Sequence, residues 1–307
     1  MSETATVLAS GGISGATNAE RYRGLTDIRV QDPEAIKRAA QTRPRRGLAE
    51  GDGRLMIIAA DHPARGANGV GDRPMAMGNR IQLLERLETA LARPGVDGLL
   101  ASPDILEDLL LLGALEGKVV FGSMNRGGLQ GAVFELDDAF TGYDAQAIAD
   151  FGFNGGKTLT RVALDDPGTL NTLTDTANAV NELAARGLAA MVEPFWSSRV
   201  DGKVRNDLSP DAVIRSIGVA SALGRTTAHT WLKLPVVPEM DRVMAATTLP
   251  TLLLGGDPDT TPEETFATWH AALQLPAVRG LVVGRTLLYP GDDDVAAAVD
   301  TAAALVR

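Results

Sequence analysis

Short apolar runs bounded by polar or glycine-rich turns recur along the chain. Each is followed by a stretch whose apolar positions return at helical spacing. The runs are Leu55 to Ala60, Gly98 to Ala101, Val119 to Gly122, Lys157 to Val162, Ala189 to Glu193, Trp231 to Val236, Thr251 to Leu254 and Gly280 to Val283. Strict strand-helix alternation predicts a parallel sheet, and eight such units in 307 residues favour closure into a (β/α)8 TIM barrel over an open doubly wound sheet. Helix starts fit this rhythm. Ser102-Pro103, Ser209-Pro210 and Thr261-Pro262 each pair a hydroxyl cap with a proline where no donor is needed, and Thr261 to Glu264 reads as a capping box. The barrel domain is expected over 51–307. Ahead of it, 1–50 reads as a flexible arm to about Arg23 and one extra helix opened by Asp32-Pro33-Glu34.

Two nucleotide-binding alternatives fail on motif order. Asp61-His62-Pro63, rather than a glycine fingerprint, follows the first strand. Gly155-Gly156-Lys157-Thr158 resembles the end of a phosphate loop, but Phe151 stands where its first glycine belongs. The pair also precedes the apolar run of its strand, whereas a phosphate loop follows one.

Composition narrows the function classes. A net charge of −10 leaves no basic surface to neutralise a phosphate backbone, so a nucleic-acid partner is not expected. The chain has no cysteine, which removes disulfides, thiolate metal sites and a cysteine nucleophile together. It opens Met-Ser-Glu without a basic segment, and no run approaches the roughly 18 apolar residues of a membrane span. A soluble cytoplasmic protein is the expectation, with a small-molecule substrate, no membrane partner and assembly as a homo-oligomer.

In a parallel barrel, polar groups at the C-terminal strand ends converge on one mouth. By position these are Asp61 after the first strand, Asn125 and Arg126 after the third, Lys157 on the fourth, Glu193 on the fifth and Lys233 on the sixth. Lys233 stands out within Trp231-Leu232-Lys233-Leu234-Pro235-Val236, because lysine is rarely fully buried without use or a partner. Desolvation favours the free amine, which can attack a carbonyl and form an imine. The competing reading is a lysine that reaches solvent or pairs structurally with an acid. Lys157 can modulate a neighbouring amine, hold an anionic substrate or form a structural ion pair. Glu193 and Asp61 are candidate proton-transfer groups, with counter-ion and helix-capping roles as the alternatives. His62 is a candidate substrate contact. Gly255-Gly256 and Gly284-Arg285 follow the last two strands, where barrels often hold phosphate, although Asp257 is a poor neighbour for a dianion. His62, His229 and His270 lie on separate elements, and Asp292-Asp293-Asp294 reads as a solvated helix cap, so no metal is expected.

As a set, these strand-end motifs resemble the class I, Schiff-base aldolase superfamily. It includes the archaeal-type fructose-bisphosphate, tagatose-bisphosphate and deoxyribose-phosphate aldolases, and the likeness spans roughly Leu55 to Pro290. Leu232 to Val236 looks like the strand bearing the Schiff-base lysine of tagatose-bisphosphate aldolases, and Ala60 to Gly66 like their aspartate-led first loop. Lys157 and Glu193 fall where that family has a functional lysine and glutamate; Gly255-Gly256 and Val283-Gly284-Arg285 match its phosphate-binding ends. His62-Pro63-Ala64 is an insertion in the first loop, and Asp257 is a further departure. The resemblance implies a metal-independent lyase that needs no cofactor and cleaves a keto sugar or sugar acid, phosphorylated or not. It is nearest to an actinobacterial branch associated with sugar and inositol breakdown. That makes 5-dehydro-2-deoxy-phosphogluconate the leading substrate, ahead of deoxyribose 5-phosphate and ketose phosphates. Two alternatives stay open: an isomerase or epimerase working through an enolate, and a barrel that binds a ligand without turnover.

Overall fold

The computed structural model describes residues 18–255 and 262–307. Eight parallel strands form a closed barrel: β1 (Leu55–Ala59), β2 (Gly98–Ala101), β3 (Val119–Ser123), β4 (Gly155–Val162), β5 (Ala189–Val200), β7 (Thr230–Leu234), β8 (Thr251–Leu254) and β9 (Val278–Val283), with β9 pairing back to β1. The expected (β/α)8 architecture is therefore present. One strand, β6 (Lys203–Asp207), lies outside the ring and pairs antiparallel with the outer half of β5.

Period-2 alternation divides the core in two. Leu55, Ile57 and Ala59 of β1 face inward and pack with Leu100, Val119, Phe121, Met191, Leu252 and Val282 to fill the barrel. Met56 and Ile58 face outward, against the helices. That outer shell comprises α3 (Arg80–Leu91), α4 (Pro103–Leu111), α5 (Ala145–Asp150), α6 (Gly168–Ala184), α7 (Pro210–Ser221), α8 (Met240–Met244), α9 (Pro262–Leu273), α10 (Arg285–Leu288) and α11 (Val295–Val306).

Before the barrel lie α1 (Asn18–Gln31) and α2 (Glu34–Thr42). The arm expected to reach Arg23 is thus helical from Asn18 onward: Tyr22, Leu25 and Ile28 recur at helical spacing and are buried, and Arg21 pairs with Glu88 of α3. Asp32 does not cap α2, since its carboxylate pairs with Arg38. Ser209 caps α7 and Asp294 caps α11 through side-chain oxygens, whereas the Ser102 hydroxyl donates to Asp104 instead of accepting from its helix. Gly155 and Gly156 lie inside β4 rather than before it. Thr261 and its capping box lie outside the described residues.

Candidate active site

Two residues beyond Ala59, Asp61 continues the inward face of β1. Glu193 and Lys233 follow the inward-facing Met191 and Trp231, and Lys157 is paired in register with Met191. The same alternation that fills the lower barrel with apolar side chains thus sets four ionisable ones on the layer above it. Asp61 and Lys157 are 2% exposed, Lys233 3% and Glu193 8%, so each needs a partner. They supply one another. Lys157 Nζ lies 3.1 Å from Asp61 Oδ2 and in closer contact with Glu193 Oε2, while Glu193 Oε1 lies 3.0 Å from Lys233 Nζ. Arg126 closes the chain at Asp61: Nη2 is 3.2 Å from Oδ2, and Nη1 donates to the main-chain oxygen at 2.6 Å. The Ser123 hydroxyl donates to Asp61 Oδ2 at 3.3 Å.

Burial alone would raise the Asp61 carboxyl, but Lys157 and Arg126 outweigh it and hold the group well below the ordinary carboxylate range. Glu193 is balanced the same way, burial opposing Lys157 and Lys233, and falls to about 2. Both acids are therefore ionised at neutral pH. For Lys157, burial exceeds the pull of both carboxylates and lowers the amine. Burial also drives His62 down to about 3, leaving a neutral imidazole with Nδ1 3.9 Å from Asp61 Oδ1.

The depressed acids have a thermodynamic consequence. A carboxylate whose folded value lies below its ordinary one stabilises the fold above the ordinary value, and that contribution disappears as pH falls toward the folded value. For Glu193 the window runs from 4.5 down to about 2. Unfolding free energies from urea titrations between pH 5 and 2.5 are expected to fall for the wild type and to fall less steeply for Glu193→Gln, the slopes differing by up to ~1.4 kcal/mol per pH unit. Parallel slopes would contradict the assignment.

The four residues sit at the floor of a cavity of about 260 Å3. Its wall also includes Arg126, His62, Gly255, Gly284 and Arg285, all expected from the sequence, together with Arg65, Arg161, Phe195, Asn206 and Thr286. Gly284 has a steric reason to be glycine, since a Cβ there would lie 2.0 Å from the Ala59 carbonyl oxygen of the paired strand. Gly256 and Asp257 lie outside the described residues.

Asn125 is not part of the wall. Its amide Nδ2 donates to Leu159 O at 2.6 Å and its Oδ1 accepts from Leu159 N at 2.8 Å, so both polar ends are spent on β4 main chain. This corrects its expected place among the groups converging on the mouth: it fixes the strand that presents Lys157. Asn125→Ala is expected to cost about 2–4 kcal/mol in urea unfolding, because it strands two main-chain groups. A loss below ~1 kcal/mol would contradict that role.

The profile of the Cgl0159-like family matches residues 53–303. This chain belongs to that family. Among solved structures it is similar to Cgl0159 from Corynebacterium glutamicum, with 56% identity, a TM-score of 0.91, and coverage of 96% of this chain and 98% of that one. A Schiff-base-forming fructose-1,6-bisphosphate aldolase matches at 17% identity and TM-score 0.61, covering 89% of this chain and 100% of its own. An archaeal fructose-1,6-bisphosphate aldolase, solved with its catalytic lysine covalently bound to the carbinolamine intermediate, matches at 18% and TM-score 0.60 over 88% and 99%. At these identities the two aldolases establish a shared barrel fold with this Cgl0159-like chain. No curated protein sequence matches it. Among the described residues no group of three or more histidine or acidic side chains is arranged to hold a metal ion, and no helix is long and apolar enough to cross a membrane.

Proposed function

We infer that this protein is a class I aldolase in which Lys233 forms a Schiff base with a keto sugar or sugar acid. The observation that supports this most directly is a buried lysine amine on an inward strand position, held 3.0 Å from a single carboxylate, Glu193. Lys157 is clasped by two acids, whereas Glu193 is the one ion-pair partner of Lys233 among the described residues.

The chemistry follows from that arrangement. Glu193 accepts a proton from the Lys233 ammonium, and the free amine adds to the substrate ketone. The carbinolamine hydroxyl takes that proton back from Glu193, leaves as water and yields a protonated imine, with Glu193 again a carboxylate. Glu193 then removes the proton of the hydroxyl on the carbon beyond the scissile bond. That bond breaks, its electron pair moving into the iminium to form an enamine while the aldehyde departs. Protonation and hydrolysis of the enamine return the free lysine. Lys157 holds Asp61 and Glu193 in place through its two contacts, and Arg126 anchors Asp61 from the other side. Gly255, Gly284 and Arg285 line the same cavity after the last two barrel strands, and this reading gives them the phosphate of the ketone half.

Within this reading the substrate is a phosphorylated keto acid or ketose in the cytoplasm, with 5-dehydro-2-deoxy-phosphogluconate as the leading candidate. Cleavage assays on that compound, on deoxyribose 5-phosphate and on ketose phosphates test it. Turnover of one of them is expected to survive EDTA and to be lost irreversibly when borohydride is added with substrate, while borohydride alone leaves it intact. Activity that requires an added divalent metal and resists borohydride would overturn the reading.

A further inference from the structure

Twelve buried side-chain atoms lack a hydrogen-bond partner among the described residues, and four belong to the wall of this cavity: His62 Nδ1, Arg65 Nε, Arg126 Nη2 and Arg161 Nε. Arg126 Nη2 and His62 Nδ1 face the Asp61 carboxylate at 3.2 and 3.9 Å, which leaves the Nε–H groups of Arg65 and Arg161 as the two with no acceptor near them. A buried N–H without an acceptor is costly, and such groups in a cavity wall mark where a ligand supplies one.

The rest of each guanidinium is already engaged. Arg161 Nη1 and Nη2 donate to the Glu135 carboxylate and main-chain oxygen, both at 2.7 Å. Arg65 Nη1 and Nη2 donate to Gly128 O at 2.9 Å and Asn125 O at 2.7 Å, and Arg65 also pairs with Asp138. Nε is the one nitrogen of each guanidinium without any partner. Around the closed ring, the fourth barrel strand, whose next-to-last residue is Arg161, is diametrically opposite the eighth, which leads into Gly284 and Arg285. Asn206 reaches the cavity from β6, the strand outside the ring.

We propose that Arg65 and Arg161, with Asn206 beside them, form a second subsite that takes a terminal carboxylate at the end of the ligand remote from Gly284 and Arg285. The orientation rests on the aldolase reading, in which the aldehyde half points away from the phosphate end. The preference for carboxylate over phosphate comes from charge. Arg65 and Arg161 are balanced one to one by Asp138 and Glu135, so the two subsite arginines offer oriented donors without surplus positive charge of their own. A monoanion with two acceptor oxygens suits it better than a phosphate dianion. The substrate class is then a sugar acid phosphate, acidic at both ends.

Calorimetry on the full-length protein with three probes of one chain length tests this: pentylphosphonate, 5-phosphonopentanoate and pentane-1,5-bisphosphonate. The phosphonocarboxylate is expected to bind about 10- to 100-fold more tightly than pentylphosphonate, the worth of a charge-assisted hydrogen bond. R161Q/E135Q, which removes both partners of the pair, and N206D, a change on an exposed strand, are each expected to erase that difference while keeping pentylphosphonate affinity. Equal affinity or no binding of either probe by the wild type overturns the subsite, as does a preference that survives both variants or a stronger preference for the bisphosphonate. Because no probe contains a ketone or aldehyde, their binding is independent of imine chemistry, so the expected preference together with the absence of any borohydride-trapped adduct on Lys233 from a keto substrate that is turned over would sink the aldolase mechanism and leave the subsite standing.

Discussion

Lys233→Met is expected to lower carbon–carbon cleavage by on the order of 10^4-fold or more, the scale on which removing a covalent nucleophile acts. Methionine matches the reach and apolar bulk of the lysine stem while deleting the amine. Glu193 keeps its contact with Lys157, and Lys157 keeps Asp61, so no buried acid is left without a cation. The thermal midpoint should therefore stay close to that of the wild type, which separates lost chemistry from lost structure. Retained turnover in a folded Lys233→Met protein would rule out the covalent route. A collapse of the midpoint would instead mark Lys233 as a structural counter-ion of Glu193.

Glu193→Gln is expected to lower cleavage by about 10^2- to 10^4-fold, the range for a positioned general base. Glutamine is nearly isosteric, so the loss falls on proton transfer. Because Glu193 touches both amines, two outcomes are informative. If it mainly removes the hydroxyl proton, imine forms but breaks down slowly, and borohydride quenching in a single turnover traps more adduct than in the wild type. If adduct and cleavage disappear together, Glu193 is needed first to free the Lys233 amine. Unchanged turnover would exclude it from proton transfer altogether.

Much of this arrangement was legible in the sequence because it depends on short-range periodicity. The eight apolar runs fall on the eight barrel strands, with ends shifted by two or fewer residues except at β5, because inward and outward faces both require apolar side chains in a parallel barrel. Asp61 and Lys233 lie at or just past the C-terminal ends of their strands, as expected, whereas Lys157 and Glu193 sit well inside β4 and β5, and the inward alternation of all four strands brings the side chains together.

The misses have equally local causes. Ser197 to Asp207 alternates too many polar residues to read as a strand, yet Asp201-Gly202, at φ 51° and 75°, is the Asp-Gly pair that two-residue hairpins favour. That signal would have found β6 and, with it, Asn206. The α1 helix carries its apolar face on only three residues, Tyr22, Leu25 and Ile28, set among polar ones. Arg161 and Glu135 meet across 26 positions, and Arg65 reaches Gly128 across 63. No spacing rule reaches that far, so this side of the cavity emerges only once the barrel closes.

The most direct test of the central claim is the site of covalent attachment. The wild-type protein is reduced with borohydride in the presence of dihydroxyacetone phosphate, digested and mapped by mass spectrometry. The account predicts one reduced adduct, on Lys233, and none in Lys233→Met. An adduct on Lys157, or no adduct with a ketone that the enzyme demonstrably turns over, would contradict it.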